Sequence, residues 1–415
     1  MKKVVFLMPG QGAQFAGMGK EICDMYPEVE YVYDLADKVL GTDIKRMCFE
    51  GDIDELTRTE NTQIAVFLSS VAAFKALDGR YNLEPLCFAG HSLGELTALV
   101  CAGSLELESA IRLVRARGIF MQEVSEQFSS KMVAVRNVPL PEIEEQCRTV
   151  SVQDYYVAIA NYNAPNQIVL TGYKESVDVV VGKLRESGGD EIIVNVKTPF
   201  HTKLMEAAAA RFADEVVRHD FKHPAYPVMS NVTGHPHNTE DDIADMLVKQ
   251  ITSPVKWIQT MEYLKNLEED FLVIDMGPKD ILKKLALSNE VGVPVFALSH
   301  EEDVKTLKQK YLSPKTVVSF ISKALGIAVS LKNHNDHHDP LLYEQGVVAP
   351  YKRLEAIKAT IQQQQDHMTL SDQEEIQELV STIFEAKKTP MKEREERMAG
   401  LMSLVQVRTG EKAFV

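Results

Sequence analysis

The apolar positions near the start of the chain form short unbroken runs, each closed by glycine. Val4-Val5-Phe6-Leu7-Met8 ends at Pro9-Gly10, and Leu86-Cys87-Phe88-Ala89 ends at Gly90. Runs this short, without polar alternation, predict strands buried on both faces, as in a parallel sheet covered by helices. Helical candidates cover 66–78 and 105–124, so residues 1 to about 127 alternate strand and helix as an α/β sheet with crossovers requires.

From about 128 the pattern changes. Strand Lys131–Val135 precedes a helix over 140–149; strands Tyr156–Ala160 and Gln167–Thr171 follow, then a helix over 174–187 and a strand Glu191–Val196. That β-α-β-β-α-β order predicts a ferredoxin-like subdomain over 128–197. Residues 198–325 return to the large α/β domain begun by 1–127. The active site is then expected between the two lobes.

Beyond 325 the polar run Asn333-His334-Asn335-Asp336-His337-His338-Asp339 reads as a linker over 326–345, with a histidine metal site as the alternative. A helical extension follows over 346–415. Ser371-x-x-Glu374 has the form of a capping box, and Ile376, Leu379, Val380, Ile383 and Phe384 mark one helix face. Leu354, Ile357 and Ile361 mark an earlier helix, and Met398, Leu401, Met402 and Val405 a later one. The periodicity does not say what buries these faces.

The chemistry begins at Gly90-His91-Ser92-Leu93-Gly94, a G-x-S-x-G pattern between an apolar strand and the helix opened by Glu95. That spacing puts a serine on a sharp strand-to-helix turn with its hydroxyl exposed. A serine hydroxyl is a weak nucleophile and needs a base and an oxyanion site. The loop Pro9-Gly10-Gln11-Gly12-Ala13-Gln14 follows the first strand but fails the dinucleotide fingerprint, because Phe15 occupies the third glycine position. Exposed backbone N–H groups beside a glutamine suit an oxyanion better than a pyrophosphate.

With Gln11 and Ser92 located, the chain resembles the malonyl-CoA:acyl carrier protein transacylase family, which includes the acyltransferase domains of polyketide and fatty acid synthases. The matching segments are Pro9–Gln14, Thr62-Gln63, Gly90–Glu95, Arg117-Gly118, Asn161–Gln167, Pro199-Phe200-His201 and Gln250–Trp257, in family order. The resemblance implies an α/β-hydrolase-like domain with a parallel sheet, plus the inserted ferredoxin-like subdomain and the helical C-terminal extension. It implies that Ser92 carries the acyl group as an ester, that His201 is the base, and that the main-chain carbonyl of Gln250 orients the imidazole. It implies as well that the backbone N–H groups of Gln11 and Leu93 form the oxyanion hole.

By the same resemblance, Arg117 grips the free carboxylate of a malonyl group, for which guanidinium geometry is suited. A solvated helical arginine is the alternative, and it fits Arg112 and Arg115. Gln63, His91, Phe200 and Asn163 are implied to line the pocket. Phe200 and Leu93 stand where relatives using branched extenders often carry Ser and Gln, which points to malonyl. No cofactor is implied, since malonyl-CoA is a substrate. The partner is an acyl carrier protein, and the extension resembles a free-standing acyltransferase that serves a polyketide synthase.

Composition narrows the setting. The balance of 45 Lys+Arg against 60 Asp+Glu, net −15, argues against nucleic acid as a partner. Docking an acidic carrier then needs a local basic patch, for which Lys279, Lys283 and Lys284 are candidates, with a solvated helix face as the alternative. The five cysteines show no metal-ligand spacing; Cys87 and Cys101 lie in apolar runs and are expected buried, in a reduced cytoplasmic protein. The apolar start is too short for a secretory signal, and no run reaches the length of a membrane span.

Three classes of activity stay open at this point. The first is a transferase carrying malonyl from CoA to a carrier-protein thiol. The second is a hydrolase clearing stalled acyl groups from carrier proteins, which a carboxylate clamp argues against. The third is a non-catalytic scaffold working through its C-terminal helices.

Overall fold

The computed structural model describes residues 3–152, 155–193, 198–238, 240–335, 340–363, 368 and 370–402. The described residues form two compact units, one within 3–76 and 84–304, the other within 77–83 and 305–402.

The larger unit is built on a five-stranded sheet in the order Val295–Ala297, Phe271–Asp275, Lys3–Met8, Pro85–Gly90, Val228–Met229, with every pairing parallel. Both apolar runs near the N-terminus are neighbouring strands, and Met8 stands opposite Gly90. Their side chains are buried on both faces, as an unbroken apolar run requires. Helix Thr59–Arg80 begins earlier than the expected 66. Its first two turns carry Thr62 and Gln63, polar yet buried, with Thr62 Oγ1 donating to Leu56 O at 2.6 Å. Apolar periodicity cannot register a helix turn made of satisfied polar groups.

The inserted subdomain is an antiparallel sheet in the order Val157–Ala164, Gln167–Tyr173, Ser130–Arg136, Asp190–Ile193. That is the ferredoxin-like order. Helices Leu140–Val150 and Lys174–Glu186 bury Ile143, Val177 and Leu184 against Val133, Ile159 and Leu170. The strand expected to Val196 is seen to Ile193, and 194–197 lie outside the described residues.

The smaller unit has its own apolar core. Phe320, Ile327 and Leu331 pack with Leu354, Ile357, Ile361, Ile376, Val380, Ile383, Phe384 and Leu401. The extension's apolar faces therefore bury one another. This corrects two expectations. Helix Lys315–Ser330 runs through the boundary expected at 325 and occupies the start of the expected linker, because its apolar face belongs to this core. Ser371 lies within helix Leu370–Ala386 rather than capping it. His337, His338 and Val405 lie outside the described residues.

None of the five cysteines is in a disulfide; Cys87 is buried, but Cys101, the last residue of helix Gly94–Cys101, is only half-buried. No helix among the described residues is long and apolar enough to cross a membrane.

Candidate active site

Two adjacent parallel strands deliver the site's two loops. Lys3–Met8 and Pro85–Gly90 end side by side, and His91 N donates to Met8 O at 3.0 Å. The loops Pro9–Gln11 and His91–Ser92 thus leave the carboxyl edge of the sheet together, where α/β sheets place ligands. Ser92 has φ 53°, the left-handed conformation that costs a non-glycine residue about 1–3 kcal/mol. The flanking glycines permit the turn. A Cβ at Gly90 would lie 1.9 Å from the Gly94 carbonyl carbon, and one at Gly94 2.0 Å from Met8 O.

Asn231 holds this turn from the end of the neighbouring edge strand, Val228–Met229. Its Oδ1 accepts from Ser92 N at 2.6 Å, and its Nδ2 donates to Gly90 O at 2.6 Å. Sequence reasoning passed over Asn231, although Ser230-Asn231 directly follows the short apolar strand Val228–Met229.

Ser92 Oγ lies 2.7 Å from His201 Nε2, and His201 Nδ1 donates to Gln250 O at 2.9 Å. Burial, then the positive charge of Arg117, pushes the His201 imidazole down to about 3, against the pull of the Gln250 carbonyl. The ring is therefore neutral near pH 7, the form that accepts a proton. His91 is differently placed. Its Nε2 donates to Asn163 Oδ1 at 2.9 Å and its ring lies against Trp257, so it borders the site without facing Ser92 Oγ as a base.

Arg117 is buried, at 2% exposure, on helix Leu107–Ser125. Its Nη1 donates to Gln63 Oε1 at 2.7 Å, and its Nη2 to Gln250 Oε1 at 2.9 Å and to Ser92 Oγ at 3.2 Å. Burial pulls the guanidinium down to about 10, partly offset by Glu95, and it stays charged near neutrality. Its helical neighbours differ: Arg112 is exposed beside Glu108, whereas Arg115 is half-buried and donates to Glu60 O and Asn61 Oδ1, so it is not a solvated side chain.

A cavity of about 540 Å³ is lined by Gln11, Gln63, His91, Ser92, Leu93, Arg117, Asn163, Phe200 and His201. Gln250 sits behind its wall, buried, and reaches the cavity through the bonds above. The backbone N–H groups of Gln11 and Leu93 have no backbone acceptor among the described residues. A hollow of about 650 Å³ in the smaller unit has no serine, cysteine or histidine in its lining among the described residues.

Of the three candidate lysines, only Lys279 borders the cavity, where its Nζ donates to Gln14 O at 2.8 Å. Lys283 is paired with Asp303 at 2.6 Å and Lys284 with Asp280 at 2.9 Å. The three do not form a free basic patch.

Glu95 was legible only as the acid opening a helix. It is fully buried and bonded to Gln250, Asn231 and His237. The available signal was its position at the head of the otherwise uncharged helix Gly94–Cys101.

Residues 5–283 match the family model described as acyl transferase domain. The malonyl CoA-acyl carrier protein transacylase of Bacillus subtilis is 31% identical over 392 residues, covering 94% of this chain and 98% of that protein. Its counterpart in Escherichia coli K12 is 34% identical over 286 residues, covering 69% of this chain and 92% of that protein. The solved transacylase of Coxiella burnetii aligns with a TM-score of 0.71 at 31% identity, covering 74% of this chain and 98% of that one. A malonyl-transacylase solved with its type II polyketide synthase acyl-carrier protein aligns at 0.70 and 31% identity, covering 74% and 98%. The matched stretch contains Ser92, Arg117, His201 and Gln250 and draws on four of the five strands of the parallel sheet, and the chain belongs to the acyl transferase domain family.

Proposed function

We infer that this chain is a malonyl-CoA:acyl carrier protein malonyltransferase, working in fatty acid or polyketide synthesis. The observation that carries the reading is the position of Ser92 Oγ, 2.7 Å from His201 Nε2 and 3.2 Å from Arg117 Nη2. A nucleophile between a neutral imidazole and a buried cation suits an acyl group that bears a second, unreacted carboxylate.

In the first half-reaction Ser92 Oγ attacks the thioester carbonyl while His201 Nε2 takes its proton. The oxyanion is received by the backbone N–H groups of Gln11 and Leu93. The tetrahedral intermediate collapses to the Ser92 ester, and His201 returns the proton to the departing CoA thiolate. In the second, His201 accepts the proton of the carrier's phosphopantetheine thiol, whose sulfur attacks the ester carbonyl; the bond to Ser92 Oγ then breaks and His201 returns the proton to that oxygen. Nothing in this cycle calls for a cofactor.

Arg117 selects the substrate. It now donates to the neutral oxygens of Gln63, Gln250 and Ser92. A malonyl carboxylate gives it a charged partner, whereas a neutral acyl group leaves a buried guanidinium without one. The same argument disfavours a hydrolase for stalled neutral chains. We assign the protein to the cytoplasm, a reading supported by five cysteines of which none is in a disulfide and by the CoA-linked substrate.

The test is incubation with labelled malonyl-CoA, with and without a carrier protein, and mass spectrometry of the enzyme. The expected result is a malonyl adduct on the Ser92 peptide that passes to carrier. No adduct, or release of free malonate in place of transfer, overturns the reading.

A further inference from the structure

From Arg117 and Gln250 a buried polar chain continues behind the cavity wall to Glu95 and His237, two residues that the transfer cycle does not use. Arg117 Nη2 donates to Gln250 Oε1, and Gln250 Nε2 donates to Glu95 Oε2 at 2.7 Å and to Ser92 O at 2.9 Å. Glu95 Oε2 also accepts from Asn231 N at 3.0 Å, and its Oε1 accepts from His237 Nε2 at 2.8 Å. Neither Glu95 nor His237 borders the cavity.

A guanidinium can only donate and an ionised carboxylate can only accept. An amide held between the two has one allowed orientation. Turning the Gln250 amide over would set its NH2 against Arg117 and its oxygen against both Glu95 and the Ser92 carbonyl. Gln250 also orients His201 through its main-chain oxygen.

We propose that Glu95, anchored by His237 and Asn231, is a positioning residue that locks the Gln250 amide and thereby sets the aim of Arg117 at the acyl carboxylate. The inference rests on the reading of Arg117 as a carboxylate clamp. Glutamine at position 95 does not replace the lock. Its amide has one donor end, which meets either the Gln250 and Asn231 donors or the His237 Nε2–H. The ring escapes that clash only by moving its proton to Nδ1, which is buried with no partner among the described residues.

The test is Glu95→Gln, read as the ratio of kcat/KM for malonyl-CoA to that for acetyl-CoA. A general structural loss lowers both substrates and cancels in the ratio. The expected result is a fall in the ratio of about tenfold or more, the scale set by a small misplacement of a binding group. Removing a negative charge near an anion site would by itself raise the ratio, so an unchanged or raised ratio overturns the proposal. His237→Leu, which removes one anchor of Glu95, provides the second variant. It is expected to lower the same ratio about threefold, and an unchanged ratio counts against the lock. Arg117→Ala and wild type separate the two readings. If wild type prefers malonyl and Arg117→Ala erases the preference while Glu95→Gln keeps it, only the positioning role fails. If wild type shows no preference, the clamp fails and the lock with it.

Discussion

Ser92 and His201 meet at 2.7 Å with both backbones in the left-handed region, φ 53° and 61°. Each costs a non-glycine residue about 1–3 kcal/mol and persists only where its surroundings over-determine it. Asn231 does so for Ser92 by taking its N–H and donating to Gly90 O. The Gln250 carbonyl fixes the ring of His201. Two strained turns thus aim two side chains at each other, and relaxing either would separate them.

The depressed His201 value predicts an unusual pH profile. Its folded-state value, about 3, lies below its ordinary 6.5. The acid limb of kcat/KM should therefore fall well below pH 6.5, and a limb at 6.5 would contradict the burial argument. Between those values the unfolded chain binds the extra proton, so this residue's contribution to stability is full above pH 6.5 and lost as pH falls toward 3. In His201→Leu, denaturant titrations should show a shallower loss of stability over that range.

Arg117→Ala should lower kcat/KM for malonyl-CoA by about a hundredfold or more, since it removes a charged, forked contact. Acetyl-CoA should become a comparable or better substrate. Arg117→Lys should recover only part of the loss, because an ammonium offers a point charge without the fork. Steady-state kinetics with both thioesters decide it, and undiminished malonyl transfer in Arg117→Ala would reassign the clamp.

Gly94→Ala tests the turn. The added methyl meets the backbone oxygen of Met8 at 2.0 Å, which a side-chain rotation cannot relieve. About 1–3 kcal/mol of destabilisation is expected. Displacing Ser92 should also slow acyl-enzyme formation about a hundredfold. Thermal melts and single-turnover acylation measure the two effects, and wild-type values in both would show that the close approach is not needed.

Ile383→Ala tests the separate core of the smaller unit. Ile383 is fully buried among Leu354, Ile357, Val380 and Phe384, and truncation there should cost about 2–5 kcal/mol. Guanidinium unfolding followed by helical signal should show the loss. An unchanged transition would mean that these helix faces are not buried together.

The parts of the site that could be read in advance were local. G-x-S-x-G declares its serine because the two glycines and the turn lie within five residues, and the sheet's central strands show as apolar runs. The start of helix Thr59–Arg80 stayed hidden because its first turn is polar but satisfied. Helix Lys315–Ser330 was divided at 325 because a polar stretch downstream suggested a linker, while the core that claims it comes from residues far along the chain.

The family resemblance named His201 as the base and Arg117 as the clamp; the linear chain by itself determined the nucleophile's turn and the α/β and ferredoxin-like alternation. Those follow from backbone sterics and hydrophobic period, which act over a few residues. Only the tertiary structure decided that Glu95 is a buried acceptor, that Asn231 braces Ser92, and that one glutamine, Gln250, serves the base, the clamp and the serine turn together. Each of these joins groups more than a hundred positions apart, except the Gln250–His201 link. A polar side chain carries no mark of its distant partner until the chain has closed around it.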